Sequence, residues 1–149
     1  MKTNRPLLAV ALIALLLVGS AFFARSTPAA PGSSVAVGTS TFGPILFDGR
    51  GFALYAFTRD PLRRATCAGA CAKAWPPYLV KSRPSAGKGA RASLTGTVRR
   101  SDGKLQATYA GRPLYFYVGD TKPGTVLCQN VKEFGGLWLV VRGGGALVR

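Results

Sequence analysis

Histidine is absent from the 149 residues, and methionine occurs once. Without imidazole there is no side chain that titrates near neutral pH as a general base, no Cys-x-x-Cys-His haem attachment and no His-containing metal site. A hydrolytic triad in its common form is excluded with it. Carboxyl groups are scarce too: five acidic residues face twenty basic ones, for a formal net charge of +15. Asp48, Asp60, Asp102 and Asp120 each stand beside Gly or Pro, the composition of turns, so nothing in their spacing suggests a paired acid and base. The nineteen glycines form no phosphate-binding pattern. These absences point away from an enzyme, with no catalytic residue, metal ligand or cofactor to assign.

What the chain does have is a motif stated twice. Leu54-Tyr55-Ala56-Phe57-Thr58-Arg59-Asp60 returns sixty residues later as Leu114-Tyr115-Phe116-Tyr117-Val118-Gly119-Asp120. A fixed order of residue types at such a distance marks a duplicated supersecondary unit. Alternation along a strand puts Tyr55 and Phe57, or Tyr115 and Tyr117, on one face and the Leu on the other. Asp60 and Asp120 then close the strand, because an Asp side chain that bonds nearby backbone amides starts a turn. The four aromatics are read as core first and as an exposed recognition stripe second.

Two further stretches are distinctive: Cys67-Ala-Gly-Ala-Cys71-Ala-Lys-Ala-Trp75-Pro76-Pro77, and Phe134-Gly-Gly-Leu-Trp138. Together with the doubled motif, over about Ser34 to Arg142, the sequence resembles the predicted exported lipoproteins with a Tyr-x-aromatic-x-x-Asp motif, also described as a secreted repeat of unknown function. The resemblance implies an envelope protein. Lipoproteins of that kind carry a lipidated Cys directly after the signal, whereas the first Cys here is Cys67.

Lys2 and Arg5 precede an apolar run from Leu7 to Val18, followed by Gly19, Ser20 and Ala21, the layout of a secretory signal. Phe22 and Phe23 interrupt the expected cleavage site, and Leu7 to Ala24 spans eighteen residues, so residues 1–25 are read as a signal peptide or a membrane anchor. Residues 26–34, with Pro28, Pro31 and Gly32, form a linker. Beyond residue 25 there are 17 basic and 5 acidic residues. That excess favours the membrane surface or anionic envelope polymers as partners, reached from an exported position: periplasmic, extracellular or on the outer face of the cytoplasmic membrane. The basic residues, Arg100 among them, are scattered as a solvated surface would scatter them, without a specific nucleic-acid motif.

The fold class expected is mainly β: a small antiparallel, barrel-like sheet over residues 35–142, built from two related halves, with one short helix. Residues 45–47 and 52–58 flank Asp48-Gly49-Arg50-Gly51 as a hairpin, and Leu94–Arg100 and Lys104–Tyr109 flank Ser101-Asp102-Gly103 as another. The stretch Ala65–Trp75 predicts one or two helical turns that stop at Pro76. Residues 82–92 read as a mobile loop joining the halves, and the second motif as a central strand covered on both sides. Leu137–Arg142 is a strand whose Trp138 answers Trp75, and residues 143–149 should fray as a flexible tail.

In an exported chain, Cys67 and Cys71 are read first as a disulfide, which leaves Cys128 as the free thiol. Positions i and i+4 on a helix lie about 5–6 Å apart at Cβ, too far for a disulfide, so Cys67 must lie outside the helix, with Gly69 providing the turn. A bridge to Cys128 and a soft-metal or redox-active thiol cluster remain as alternatives. The function this supports is a non-enzymatic envelope binding or structural module, with a thiol–disulfide or soft-metal accessory as the second reading.

Overall fold

The computed structural model describes residues 33–149. The signal or anchor reading of residues 1–25 lies outside the described residues, as does most of the linker. Nine strands and one short helix follow, in three three-stranded sheets. The chain is mainly β, but it divides into small sheets and does not close one barrel-like sheet. Among the described residues no strand exceeds seven residues.

The first hairpin joins β1 (Ser34–Ser40) to β2 (Gly43–Asp48), with Val35 opposite Asp48 and Ser40 opposite Gly43. Asp48 ends it by accepting the amides of Arg50 and Phe52 on one carboxylate oxygen. The chain then returns past β2 in the hairpin expected around residues 48–51: Phe47 bridges Ala53, the Asp48 amide donates to the Phe52 carbonyl at 2.9 Å and the Leu54 amide to the Leu46 carbonyl at 3.0 Å. β3 (Tyr55–Phe57) instead pairs with β9 (Gly136–Val140), which also carries β8 (Val131–Glu133). In the second half, β5 (Thr95–Arg99), β6 (Leu105–Tyr109) and β7 (Arg112–Pro113) make the meander expected from Asp102-Gly103.

Three expectations change. Residues 82–92 are not a free loop: β4 (Ser85–Ala86) adds to β1 in parallel, and the Val37 amide donates to the Lys88 carbonyl at 2.8 Å. The second motif is not one continuous strand. Leu114 and Tyr115 are fully buried, but Phe116 and Tyr117 are half-buried and Val118 is exposed, since only Tyr115 has a bridging partner on both sides, Tyr55 and Pro77. The segment 143–149 packs instead of fraying. Gly145, with φ +89°, turns the chain so that Leu147 bridges Val141, and the Val148 amide reaches the Val140 carbonyl at 3.0 Å.

Alternation along the motif divides the interior into two cores. Tyr55, Phe57 and Tyr115 enter one with Trp75 and Trp138, while Leu54, Ala56 and Leu114 enter the other with Val35, Leu46 and Tyr109. The helix α1 (Ala70–Ala74) delivers Trp75 to the first core and stops there. Pro76 and Pro77 cost the next ladder nothing, because it uses their side of the chain as acceptors: Phe116 donates to the Pro76 carbonyl at 2.8 Å.

Candidate functional site: an aromatic stack between exchanged tyrosine and aspartate pairs

The two motif strands meet antiparallel at Tyr55 and Tyr115, each amide donating to the other's carbonyl at 2.9 Å. An approximate two-fold axis passes through that pair. The side chains obey it by exchange: the Tyr55 hydroxyl donates to Asp120 Oδ2 and the Tyr115 hydroxyl to Asp60 Oδ2, both at 2.6 Å. The second carboxylate oxygen holds its own loop. Asp60 Oδ1 accepts from the Thr66 amide and hydroxyl, and Asp120 Oδ1 from the Leu127 amide. The turn-forming Asp anticipated from the motif is therefore also a clamp on the other repeat's tyrosine.

Between these pairs Phe57, Trp138 and Trp75 stack in that order with centroids 4.3 and 4.0 Å apart, and Tyr117 tilts against Trp75 at 4.7 Å and 39°. The indoles at the centre lie 2° from parallel, and Tyr55 and Tyr115 close the flanks edge-on to Trp75 and Trp138. Gly136 makes room for this, since a Cβ there would stand 2.6 Å from the Phe57 ring. Trp138 pairs through β9 with Phe57 of the first motif, and the chain leaving Trp75 pairs with the second motif. Each repeat thus lends its Trp segment, as well as its Asp, to the other.

Burial, reinforced by the adjoining carboxylate, raises the Tyr55 and Tyr115 phenols well above the ordinary tyrosine range. Both are neutral when folded, and a free tyrosine ionises near pH 10. A raised phenol contributes stability that is complete below pH 10 and lost as the pH climbs above it. In an alkaline titration followed at the tyrosinate absorbance, Tyr55 and Tyr115 should ionise only as the near-ultraviolet dichroism of the stack disappears. Ionisation of all five tyrosines with that signal intact would contradict the exchange.

Cys67 and Cys71 form a disulfide with Cα atoms 5.3 Å apart, Cys67 standing before α1 and Gly69 between them at φ +58°. A Cβ at Gly69 would touch nothing, so the backbone angle and not space calls for glycine. Cys128 is free and half-buried. Its place beside the clamped residue makes it the counterpart of Cys67 in the other repeat: Cys67 follows the clamped Thr66, and Cys128 follows the clamped Leu127. Burial raises its thiol, and its sulfur in turn raises the Tyr117 phenol. With two of the three sulfurs in a disulfide, the three-Cys metal arrangement is not formed, and among the described residues no three His, Cys, Asp or Glu gather to hold a metal.

A pocket of about 240 Å³ opens on the disulfide, lined by Phe57, Arg59, Thr66, Cys67, Ala68, Cys71 and Phe134. Phe134 has φ +53°, a conformation few non-glycine residues adopt, and its carbonyl accepts from the Arg59 guanidinium at 3.1 Å. Behind the pocket lies Arg100, which belongs to the interior and not to the solvated surface. Its guanidinium donates to the Cys67 carbonyl at 2.6 Å and to Gln106 Oε1 at 2.5 Å, and Gln106 in turn donates to the Leu114 carbonyl. Arg100, Gln106, Thr66 and Glu133, whose carboxylate accepts from Trp75 Nε1 at 2.8 Å, are the site residues the motif did not reveal.

A family described as a secreted repeat of unknown function matches residues 36–78 and 96–142, one repeat on each side of the axis. The chain belongs to this secreted-repeat family. At that coarse level the protein is an exported one. No curated protein and no solved structure matches the chain.

Proposed function

We propose that this secreted repeat protein is a non-catalytic binding module that holds acidic polymers of the cell envelope. The observation that carries the reading is where the charges go. Asp48, Asp60 and Asp120 are buried, while Arg100 alone among the basic side chains of residues 33–149 is. Folding therefore hides most of the negative charge and exposes nearly all of the positive. A surface of one sign attracts polyanions at long range and loses them as salt screens it. A non-catalytic role is supported by the lack of histidine and by the commitment of Asp60 and Asp120 to internal donors. The thiol–disulfide alternative has less support, since Cys67 and Cys71 are only 2% and 7% exposed.

Binding to polyglucuronate should be retained at about 50 mM salt and fall at least roughly tenfold by about 300 mM. Equal retention on neutral dextran, or none on the polyanion at low salt, would reject the reading. Preference for phosphatidylglycerol vesicles over the polymer would move the partner to the membrane surface.

A further inference from the structure

The loop that follows each motif is built the same way in both halves, and the two loops part at the residues that carry charge. In the second half the Thr125 amide donates to the Lys122 carbonyl at 3.2 Å, and the Gly124 amide to the Gly51 carbonyl at 2.8 Å. In the first half the Arg64 amide donates to the Pro61 carbonyl at 3.1 Å, and the Arg63 amide to the Gly111 carbonyl at 2.6 Å. Gly51 and Gly111 stand sixty residues apart, the interval of the motif itself. A Cβ at Gly51 would meet Pro123, and one at Gly111 would meet Leu62. These contacts put Leu62 in the place of Pro123, Arg63 in that of Gly124 and Arg64 in that of Thr125. Arg112, next after Gly111, corresponds to Phe52.

One end of the molecule thus carries three arginines where the other has Gly, Thr and Phe. The second-half end has Lys122 in place of Pro61, and its other cation, Arg50, is paired with Asp48 at 2.8 Å. Among the described residues no ion pair involves Arg63, Arg64 or Arg112. Arg63 and Arg64 are exposed, and Arg112 is half-buried. The backbone is strained for this arrangement: Arg63 has φ +61°, a left-handed conformation that the second half gives to Gly124 at φ +80°. Strain of that kind persists where the surroundings impose it, and it clusters where ligands are held. Here the bond to Gly111 imposes it, and the strained residue is an arginine without an internal carboxylate.

We propose that the tip formed by Arg63, Arg64 and Arg112 is the contact that holds the acidic polymer, through the polymer's repeated carboxylate or phosphate groups. The guanidinium fork suits either group, since it donates two parallel N–H bonds to an oxyanion. Leu62, 61% exposed, lies beside the arginines. A single apolar side chain is ordinary on a surface, whereas a lipid interface is held by a broad apolar face, so the tip fits a polymer better than a membrane. The inference rests on the polymer-binding reading and replaces a diffuse attraction with one place.

The test compares two full-chain variants of equal charge on polyglucuronate and on polyphosphate at about 50 mM salt. Replacing Arg63, Arg64 and Arg112 together by Gln should weaken binding at least roughly thirtyfold. Lys81, Lys88 and Lys132, also exposed, replaced together by Gln should weaken it less than about threefold. A selective loss on polyglucuronate supports carboxylates as the groups held, and one on polyphosphate alone supports phosphates. Arg63→Gly, the residue the second half uses, should weaken binding about fivefold while the melting temperature holds or rises. Weaker binding found only with a lowered melting temperature would make Arg63 structural and overturn its role. Equal losses in the two triple variants would leave the surface reading standing and overturn the tip. Absence of wild-type binding to both polymers would reject the surface reading itself, and the tip with it. If Leu62→Ser abolishes binding to phosphatidylglycerol vesicles while the arginine variant holds polymer as wild type does, the tip is a membrane contact and the polymer assignment is overturned.

Discussion

Tyr115→Ala and Phe57→Ala are expected to lower the melting temperature by about 12–20 °C each. Tyr115 is fully buried and Phe57 is 5% exposed, and each touches the central indole pair. Truncating a buried aromatic costs about 3–5 kcal/mol, which at about 4 °C per kcal/mol for a domain of this size gives that range. It is a large share of the roughly 5–15 kcal/mol available to a folded domain. Tyr115→Ala also strips Asp60 of a donor. Val118→Ala, at a position 52% exposed in the same motif, should change stability by less than about 0.5 kcal/mol. Thermal melts of the three variants decide the matter. Wild-type melting of the Tyr115 and Phe57 variants, with loss of polymer retention, would make the aromatics a recognition stripe and not the core.

Asp60→Ala and Asp120→Ala should be nearly as damaging, for a different reason. Each removal leaves a buried tyrosine hydroxyl without its acceptor and releases a loop at Thr66 or Leu127. A hydrogen bond to a charged group contributes about 1.5–3 kcal/mol, so a fall of roughly 6–12 °C is expected from the tyrosine bond alone. The exchange can be read directly from double-mutant cycles. Tyr115→Phe with Asp60→Asn, and Tyr55→Phe with Asp120→Asn, should show coupling of about 0.5–3 kcal/mol. The pairs within one motif, Tyr55 with Asp60 and Tyr115 with Asp120, should couple more weakly. Stronger coupling within a motif than across motifs would refute the exchanged arrangement.

The doubled motif carried much of this organisation in its spelling. Recurrence of Leu-Tyr-x-aromatic-x-x-Asp made two related halves legible, and the position of each Trp after its motif suggested that Trp75 and Trp138 answer each other, which they do face to face at 4.0 Å. The clamp partners were not legible, because Asp60 and Tyr115 lie 55 residues apart and Asp120 and Tyr55 lie 65 apart, and no local pattern reports a contact at that distance. Arg100 was hidden by its neighbours. It follows Arg99 in a basic stretch, yet alternation turns Arg99 outward and Arg100 inward, toward a glutamine six residues on. Gly143-Gly144-Gly145 had the composition of loose coil, but a glycine turn followed by Leu147 and Val148 is also the composition of a return into the core, and the interior had space for Val148.

The exchange of Asp and Trp between repeats has a consequence for how such a molecule assembles. A single repeat would present a tyrosine hydroxyl and an aromatic strand that only another repeat completes, so its best partner is a copy of itself, joined by the same two-fold. In this chain the segment between β4 and β5 makes that encounter intramolecular. Its contribution is effective concentration, of millimolar order for a short linker, and not shape. The two halves behave as an intertwined dimer whose subunits happen to share one backbone.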